Sequence, residues 1–183
     1  MSAPHLSARR FGGDAAWLAA FVVLALVVGW AVNGQRAKPL EGVYRSPQER
    51  AHDALDRMGT STVPAVAAEP RIIELDEFQA FVSEGRGLVI DARPELFFKL
   101  GHVPGAINLP RETFESDYPR RRNKLSAARA GEIALYCSEA NCPDSSIVAD
   151  LLGRLGYGRL LIYKEGWDEY SQTGMPIEKG DAP

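Results

Sequence analysis

Short apolar segments that alternate with helix-like segments constrain the fold of this chain more than any other sequence feature. We predict strands at residues 71–75, 88–92, 106–109, 132–136 and 160–163, and helices at residues 76–84, 94–100, 144–155 and 167–173, with a charged helix-like segment ending near residue 130. The strand at residues 88–92 is apolar at all positions but one, which is typical of strands buried on both faces. Strands separated by helices predict an α/β fold with a parallel sheet flanked by helices on both faces.

The N-terminal region carries a long apolar run that does not belong to such a sheet. Residues 15–32 contain no charged side chain. Eighteen helical residues span about 27 Å, close to the hydrocarbon thickness of about 30 Å. Trp17 and Trp30 stand near the two ends, where indole rings prefer the membrane interface. We predict a transmembrane anchor at residues 15–35, with a cleaved signal peptide and a buried core helix as the alternatives.

The anchor divides the chain into four parts. Residues 1–14 are a tail, residues 15–35 the anchor, residues 36–69 a linker with a short helix, and residues 70–179 the α/β domain. The short helix is predicted from Ser46 and Glu49, which fit a capping box, and from Pro47 at its first position. Basic residues flank both ends of the single-pass span, so its orientation stays open, with a periplasmic or other extracytoplasmic domain favoured.

The charge of the domain argues against binding to nucleic acid. Residues 70–183 carry 14 basic and 18 acidic side chains, a net charge of −4. The basic cluster at residues 120–124 lacks interleaved aromatic side chains, and we interpret it as a solvated loop. We therefore predict no nucleic-acid partner.

Cys137 lies where the predicted strand at residues 132–136 runs into a loop, residues 138–143, and then into a helix. This geometry places its sulfur beside unpaired backbone N–H groups at a helix N-terminus, which favour the nucleophilic thiolate. By residue type alone a cysteine is more often a small buried apolar side chain. The position of Cys137 favours a role as a reactive thiol over a role in core packing.

Three separated segments around Cys137 resemble the rhodanese family. LVIDAR at residues 88–93 with GHVPGAIN at residues 101–108 resembles the opening signature of a rhodanese domain. YKEGWDEY at residues 163–170 with GMPI at residues 174–177 is similar to its closing segment. Cys137 lies between them at the position of the family's cysteine. The resemblance covers residues 70–179.

The resemblance implies a sulfurtransferase. Cys137 would accept a sulfane sulfur from a small donor and pass it, as a persulfide, to a small thiol or to a partner protein thiol. This role requires a lowered thiolate pKa, an exposed sulfur and a loop of backbone N–H groups. The implied substrate-binding residues are those of the loop, Ser138, Glu139, Ala140, Asn141 and Cys142.

The loop departs from the common family pattern, which reads Cys-Arg-x-Gly-x-Arg. Ser138 and Cys142 replace the two arginines and Ala140 replaces the glycine, while Glu139 and Asp144 add negative charge. We expect no arginine clamp for a dianion, so thiosulfate is a poor donor candidate, and phosphatase chemistry is disfavoured for the same reason.

Cys142 has three possible roles. It is a resolving thiol that attacks a Cys137 persulfide or sulfenate, a partner in a static disulfide, or an incidental loop residue. Two sulfurs without a nearby histidine do not complete a zinc site, so no metal is predicted, and no cofactor either.

Three polar residues near the predicted site are assigned structural roles. Asp91 and Arg93 are predicted to form an internal ion pair, and His102 to hold a turn through its ring nitrogens. Our leading hypothesis is a membrane-anchored sulfurtransferase. The competing hypothesis is a non-catalytic or redox-sensing rhodanese-like module that binds a partner and uses the Cys137/Cys142 pair.

Overall fold

The computed structural model describes residues 11–36, 44–58 and 69–181, which fall into two compact units that divide after Tyr44. The first unit contains helix α1, Phe11–Gly34, whose apolar side chains from Ala15 onwards are exposed. Within the described part of the chain, Ala15–Gly34 is the helix long and apolar enough to cross a membrane. A signal sequence near an N-terminus has the same length and character.

The second unit is built on a five-stranded sheet in which all pairs are parallel and the strand order is β1-β5-β4-β2-β3. The strands are β1 Arg71–Ile73, β2 Gly87–Asp91, β3 Ile107–Asn108, β4 Glu132–Tyr136 and β5 Leu160–Tyr163. The helices are α2 Pro47–Arg57, α3 Leu75–Ser83, α4 Glu95–Leu100, α5 Phe114–Ala127, α6 Asp144–Arg154 and α7 Gly166–Tyr170. The predicted parallel α/β sheet with helices on both faces is confirmed.

The core consists of two apolar layers, one on each face of the sheet. Strand β4 contributes to both, since Ile133 and Leu135 point to one layer while Ala134 and Tyr136 point to the other. Helices α2, α5 and α6 cover the first face, and α3, α4 and α7 cover the second. Burial on both faces explains why the strands read as apolar runs rather than as an alternating pattern.

Helix α2 forms with the predicted capping box but belongs to the domain rather than to a linker. The Ser46 Oγ accepts the Glu49 N–H at 3.2 Å, and the Glu49 carboxylate accepts the Ser46 N–H at 2.7 Å. Ala51 and Leu55, four residues apart on one face, are buried against the layer of α5 and α6. This apolar face docks the helix. The rest of the predicted linker, residues 37–43 and 59–68, and residues 1–10 of the tail lie outside the described residues.

The basic cluster at residues 120–124 is not a loop. It lies on helix α5, where its side chains are partly or fully exposed. The helix continues through it because Leu125 is buried in the core on the same helix.

Candidate active site

Cys137 comes directly after β4, which is hydrogen-bonded between β2 and β5. Parallel strands bring their carboxyl ends to one edge, so Cys137 shares this edge with the residues that follow the other strands. The Cys137 carbonyl accepts the Trp167 N–H at 2.8 Å, and the Ser138 carbonyl accepts the Asp168 N–H at 2.9 Å. These two bonds tie the start of the loop to the first turn of α7.

The close contact between the loop and α7 requires glycine at position 166. Gly166 has φ +71°, and a Cβ at that position would lie 2.5 Å from the Cys137 carbonyl oxygen. Position 166 therefore requires glycine for two reasons, the positive φ and the absence of a Cβ. The glycine in the YKEGWDEY segment is part of the wall that supports Cys137.

Cys137 and Cys142 form a disulfide, with their Cα atoms 6.2 Å apart. Cys137 is only 2% exposed, whereas Cys142 is partly exposed. The expectation of an exposed Cys137 sulfur is wrong for this disulfide form, because Cys137 lies at the end of a buried strand and Cys142 lies on the outer loop. A thiol from solution therefore meets Cys142 first, and its attack there would release Cys137 as the leaving thiolate.

The residues between the two cysteines form a surface loop, and they are Ser138, Glu139, Ala140 and Asn141. A turn closes the loop through the Cys142 N–H, which donates to the Glu139 carbonyl at 3.0 Å. Helix α6 then begins with Pro143 at its N-cap, where no side chain accepts the first-turn N–H groups. The positive end of α6 therefore faces the loop without a side-chain cap, which favours negative charge on a sulfur there.

Arg111 lies beside the loop, and the sequence analysis did not find it. Its Nε donates to the Asp144 Oδ1 at 2.6 Å, and its Nη2 donates to the Glu112 Oε1 at 2.5 Å. The expected absence of an arginine holds for residues 138–143 but is wrong for the site, because the segment after β3 supplies one. The guanidinium offsets the charge of Asp144, but both of its carboxylate contacts compete with an anionic donor. The sequence feature that could have indicated Arg111 is its position just after the carboxyl end of β3, at the same sheet edge as Cys137.

The Cys137 and Cys142 sulfurs and a carboxylate oxygen of Asp144 lie within 4.8 Å of one another. These atoms are the candidate metal ligands of the described residues. In the disulfide form the sulfurs carry no thiolate charge, and Asp144 is already bound by Arg111. The arrangement in this form is suited to redox chemistry at sulfur rather than to a metal ion.

A buried ion pair lies under the site. The Arg93 Nη2 donates to the Asp91 Oδ2 at 2.6 Å and the Arg93 Nε donates to both carboxylate oxygens, at 3.0 and 3.1 Å. The Arg93 Nη2 also donates to the Gly101 carbonyl at 2.6 Å. The predicted internal ion pair thus forms, and it connects the end of β2 to the turn after α4.

Tyr136 and the partly buried Trp167 complete this layer. The sequence predicts Trp167 as a core or loop-covering residue, which agrees with its position, whereas it gave no role to Tyr136. The Tyr136 hydroxyl donates to the Asp91 Oδ2 at 2.6 Å, and the Trp167 ring lies 4.3 Å from the Arg93 guanidinium carbon. Burial, followed by the charge of Asp91, raises the pKa of Tyr136 well above its ordinary value. The hydroxyl therefore remains a hydrogen-bond donor. The signal was the strand register, in which Tyr136 pairs with Asp91.

His102 is buried and holds the turn after α4. Its Nδ1 is 2.8 Å from the Phe98 carbonyl, and its ring stacks on the Phe98 ring at 3.6 Å between centroids. The His102 backbone exchanges two 2.9 Å hydrogen bonds with Glu178. The Nδ1 contact agrees with the predicted structural role, but the second ring nitrogen, Nε2, is buried without a hydrogen-bond partner among the described residues.

The chain is similar to known proteins in family, sequence and fold. A family model described as the rhodanese-like domain matches residues 74–173, more than half of the chain. A Synechococcus elongatus protein, provisionally named a thiosulfate sulfurtransferase, is 26% identical over 139 residues, which cover 60% of this chain and 42% of that protein. The chain thus spans about two fifths of the length of that relative.

Two further proteins are similar over most of their length. Rhodanese-like domain-containing protein 14, chloroplastic, from Arabidopsis thaliana is 26% identical over 189 residues, covering 75% of this chain and 84% of that protein. A crystal structure of a Bacillus halodurans protein aligns with a TM-score of 0.51 at 15% identity, over 73% of this chain and 87% of that one. At this identity the structural likeness shows the fold.

Proposed function

The chain belongs to the rhodanese-like domain family, and from that premise we propose that it is a membrane-anchored sulfurtransferase that carries sulfane sulfur as a persulfide on Cys137. The observation that carries this proposal is the position of Cys137, which follows the central strand and bonds to a loop that leads into the uncapped end of α6. That environment lowers the cost of placing negative charge on sulfur.

The transfer takes place in two displacements in the reduced protein. The Cys137 thiolate attacks the outer sulfur of a donor persulfide, the donor S–S bond breaks, and the donor leaves as a thiolate. An acceptor thiolate then attacks the outer sulfur of the Cys137 persulfide, and Cys137 leaves as a thiolate. Sulfane sulfur moves without net oxidation of the protein.

The charges around the loop favour a thiol persulfide over thiosulfate as the donor. Arg111 already binds Asp144 and Glu112, and Glu139 is exposed on the loop. A dianion would have to displace these carboxylates, whereas a persulfide with a single charge on its sulfur needs only the N–H groups of the loop and helix. We therefore propose a small thiol persulfide or a protein persulfide as the donor.

The disulfide supports a second candidate function, a redox-sensing module that uses the same two sulfurs. After peroxide oxidation of Cys137 to a sulfenate, the Cys142 thiolate would attack Cys137 and the sulfenate oxygen would leave as water after protonation. On the sulfurtransferase route, Cys142 would attack the inner sulfur of the persulfide and release hydrosulfide. A dithiol reductant reopens the bond in both cases.

Mass spectrometry of the full-length chain tests the proposal. One equivalent of glutathione persulfide added to the reduced protein is expected to add one sulfur atom to Cys137 within the tryptic peptide 130–154, which holds both cysteines. Hydrosulfide release and a Cys137–Cys142 disulfide should follow, because the short loop holds Cys142 at high effective concentration.

Three outcomes separate the alternatives. Sulfur located by fragmentation on Cys142 alone would contradict the assignment of Cys137. A disulfide that dithiol reductants cannot open would make the pair structural, as the static alternative holds. Disulfide formation with peroxide but no sulfur gain with the persulfide would favour the redox-sensing module.

The anchor makes a separate prediction. The full-length protein is expected to sediment with membranes and to resist extraction by high salt, because residues 15–35 form an apolar span rather than a charged surface contact. A variant lacking residues 1–35 is the control and should be soluble, since the sheet lies wholly in the second unit. Soluble full-length protein, or a mature N-terminus near Val32, would contradict the anchor.

A further inference from the structure

An apolar patch is exposed beside the catalytic loop. Leu96, Phe97 and Leu100 on α4 are 66%, 50% and 64% exposed, and Ile177 is 45% exposed. The Ile177 Cδ1 lies 4.0 Å from the position of a Cβ built on Gly101, at the end of α4, so the C-terminal segment continues the same surface. These four side chains are called the α4 patch. A contiguous group of large exposed apolar side chains is typical of a site that meets a partner.

The α4 patch leads directly to the loop that carries the cysteines. Phe97 and Leu100 line a cavity of about 390 Å³ that Ser138, Trp167 and Asp168 also line. Arg93 lines it too, and its charge is paired with Asp91. Ser138 is the residue next to Cys137. A chain lying in this cavity would therefore pass the loop from which the sulfur is transferred.

The other side of the loop is acidic. A second cavity of about 390 Å³ shares Asp168 with the first and is also lined by Glu139, Glu165 and Glu169. Glu139, Glu165 and Asp168 are exposed, and none of these three forms an ion pair with another described residue. The two cavities meet at Asp168, which lines both, and we call them together the α4–α7 groove, with the α4 patch at one end and these carboxylates at the other.

We propose that this groove docks a basic polypeptide segment that presents a cysteine thiol to the loop. An apolar side chain of the segment would cover the α4 patch, and its lysine or arginine side chains would pair with the carboxylates at the α7 end. The inference rests on the proposed function, because it names the protein partner of the same sulfur. The acidic end disfavours an anionic lipid surface and small dianions, which leaves a cationic polypeptide as the complementary occupant.

The test uses the reduced full-length chain in nanodiscs, with Cys142→Ser so that the persulfide on Cys137 persists, loaded with sulfur by glutathione persulfide. Two peptides of equal length each carry one cysteine and one leucine, flanked by lysines in one peptide and by glutamates in the other. Transfer to the lysine peptide is expected to be faster by on the order of tenfold, with a difference that shrinks at high salt. The double variant Phe97→Ser/Leu100→Ser should slow transfer to the lysine peptide by about tenfold while loading by glutathione persulfide is unchanged.

A charge-reversing variant isolates the acidic end. Glu165→Lys should narrow the difference in transfer rate between the two peptides when transfer is started from equally loaded Cys137. Equal transfer rates for the two peptides would overturn the proposal, and so would a double variant that slows loading as much as transfer. A thermal unfolding curve for each variant shows that its fold is intact.

Other occupants of the patch give distinct results. Hydrogen-exchange protection of residues 95–101 in nanodiscs without peptide would mean that lipid covers the patch, and loss of a dimer in the double variant would mean that a second copy does. Either result overturns the proposal.

If Cys137 takes up no sulfur, the proposed function fails. Docking is then tested by the binding of a lysine peptide in which serine replaces the cysteine. Loss of this binding in the double variant supports docking, and unchanged binding contradicts it.

Discussion

Replacement of Cys137 by serine is expected to reduce sulfur transfer by at least about three orders of magnitude, because a serine hydroxyl is not ionised near neutral pH and cannot hold sulfane sulfur as a persulfide. Replacement of Cys142 by serine should leave loading of Cys137 intact and should make its persulfide longer-lived, since the attacking second thiol is gone. The measurement is the rate at which sulfur passes from glutathione persulfide to an acceptor thiol.

The two variants control for each other. Both lack the Cys137–Cys142 disulfide, so any loss of stability that comes from the missing bond is common to both. A difference in transfer rate between them therefore reports the chemical roles of the two sulfurs. Full transfer by Cys137→Ser would show that Cys137 is not the carrier, and equal loss of transfer in both variants would contradict the separate roles given to the two sulfurs.

The fold could be predicted from the sequence because its strands are apolar runs bounded by turns. Strands β4 and β5 have the predicted bounds. The first strand is shorter than predicted, since Leu75 begins helix α3. An apolar residue such as Leu75 fits both the end of a buried strand and the buried face of a helix. The apolar pattern alone therefore does not distinguish these two positions.

The position of Cys137 could be predicted because it depends on local order along the chain, in which a strand is followed by a loop and a helix. Arg111 could not be predicted in the same way. Its contact with Asp144 joins residues 33 positions apart and exists only because β3 and β4 end at the same edge of the sheet. The burial of Cys137 and the docking of α2 likewise depend on how distant segments pack.

The contact between α2 and α6 joins residues that are even further apart in the sequence. The His52 Nε2 lies 2.7 Å from the Asp150 Oδ2, across 98 positions of the sequence. The capping box of α2 is local and was predicted, whereas its place on the domain follows from the apolar surface that α5 and α6 leave for Ala51 and Leu55. The capping pattern in the local sequence therefore predicts the helix, whereas the unit to which the helix belongs depends on tertiary packing.

The second large effect is expected at the buried ion pair. Asp91→Asn should lower the free energy of unfolding by about 3–5 kcal/mol, because it leaves the Arg93 guanidinium buried without a countercharge. The Tyr136 hydroxyl also loses its charged acceptor. Urea unfolding of the full-length chain in detergent, followed by circular dichroism, measures the change.

Glu77→Gln is the matched control. Glu77 also binds an arginine through two hydrogen bonds, to Arg71 at 2.7 and 2.5 Å. This pair lies at the surface, with Arg71 exposed and Glu77 partly exposed, so its loss should cost less than about 1 kcal/mol. A cost for Asp91→Asn no larger than that of Glu77→Gln would show that the buried pair does not support the site. Adding Arg93→Met to Asp91→Asn should recover part of the lost stability, since the unpaired charge is then removed and the methionine side chain can pack under Trp167. If the double variant is as unstable as Asp91→Asn alone, the destabilisation comes from the lost hydrogen bonds of the Asp91 carboxylate rather than from the buried charge of Arg93.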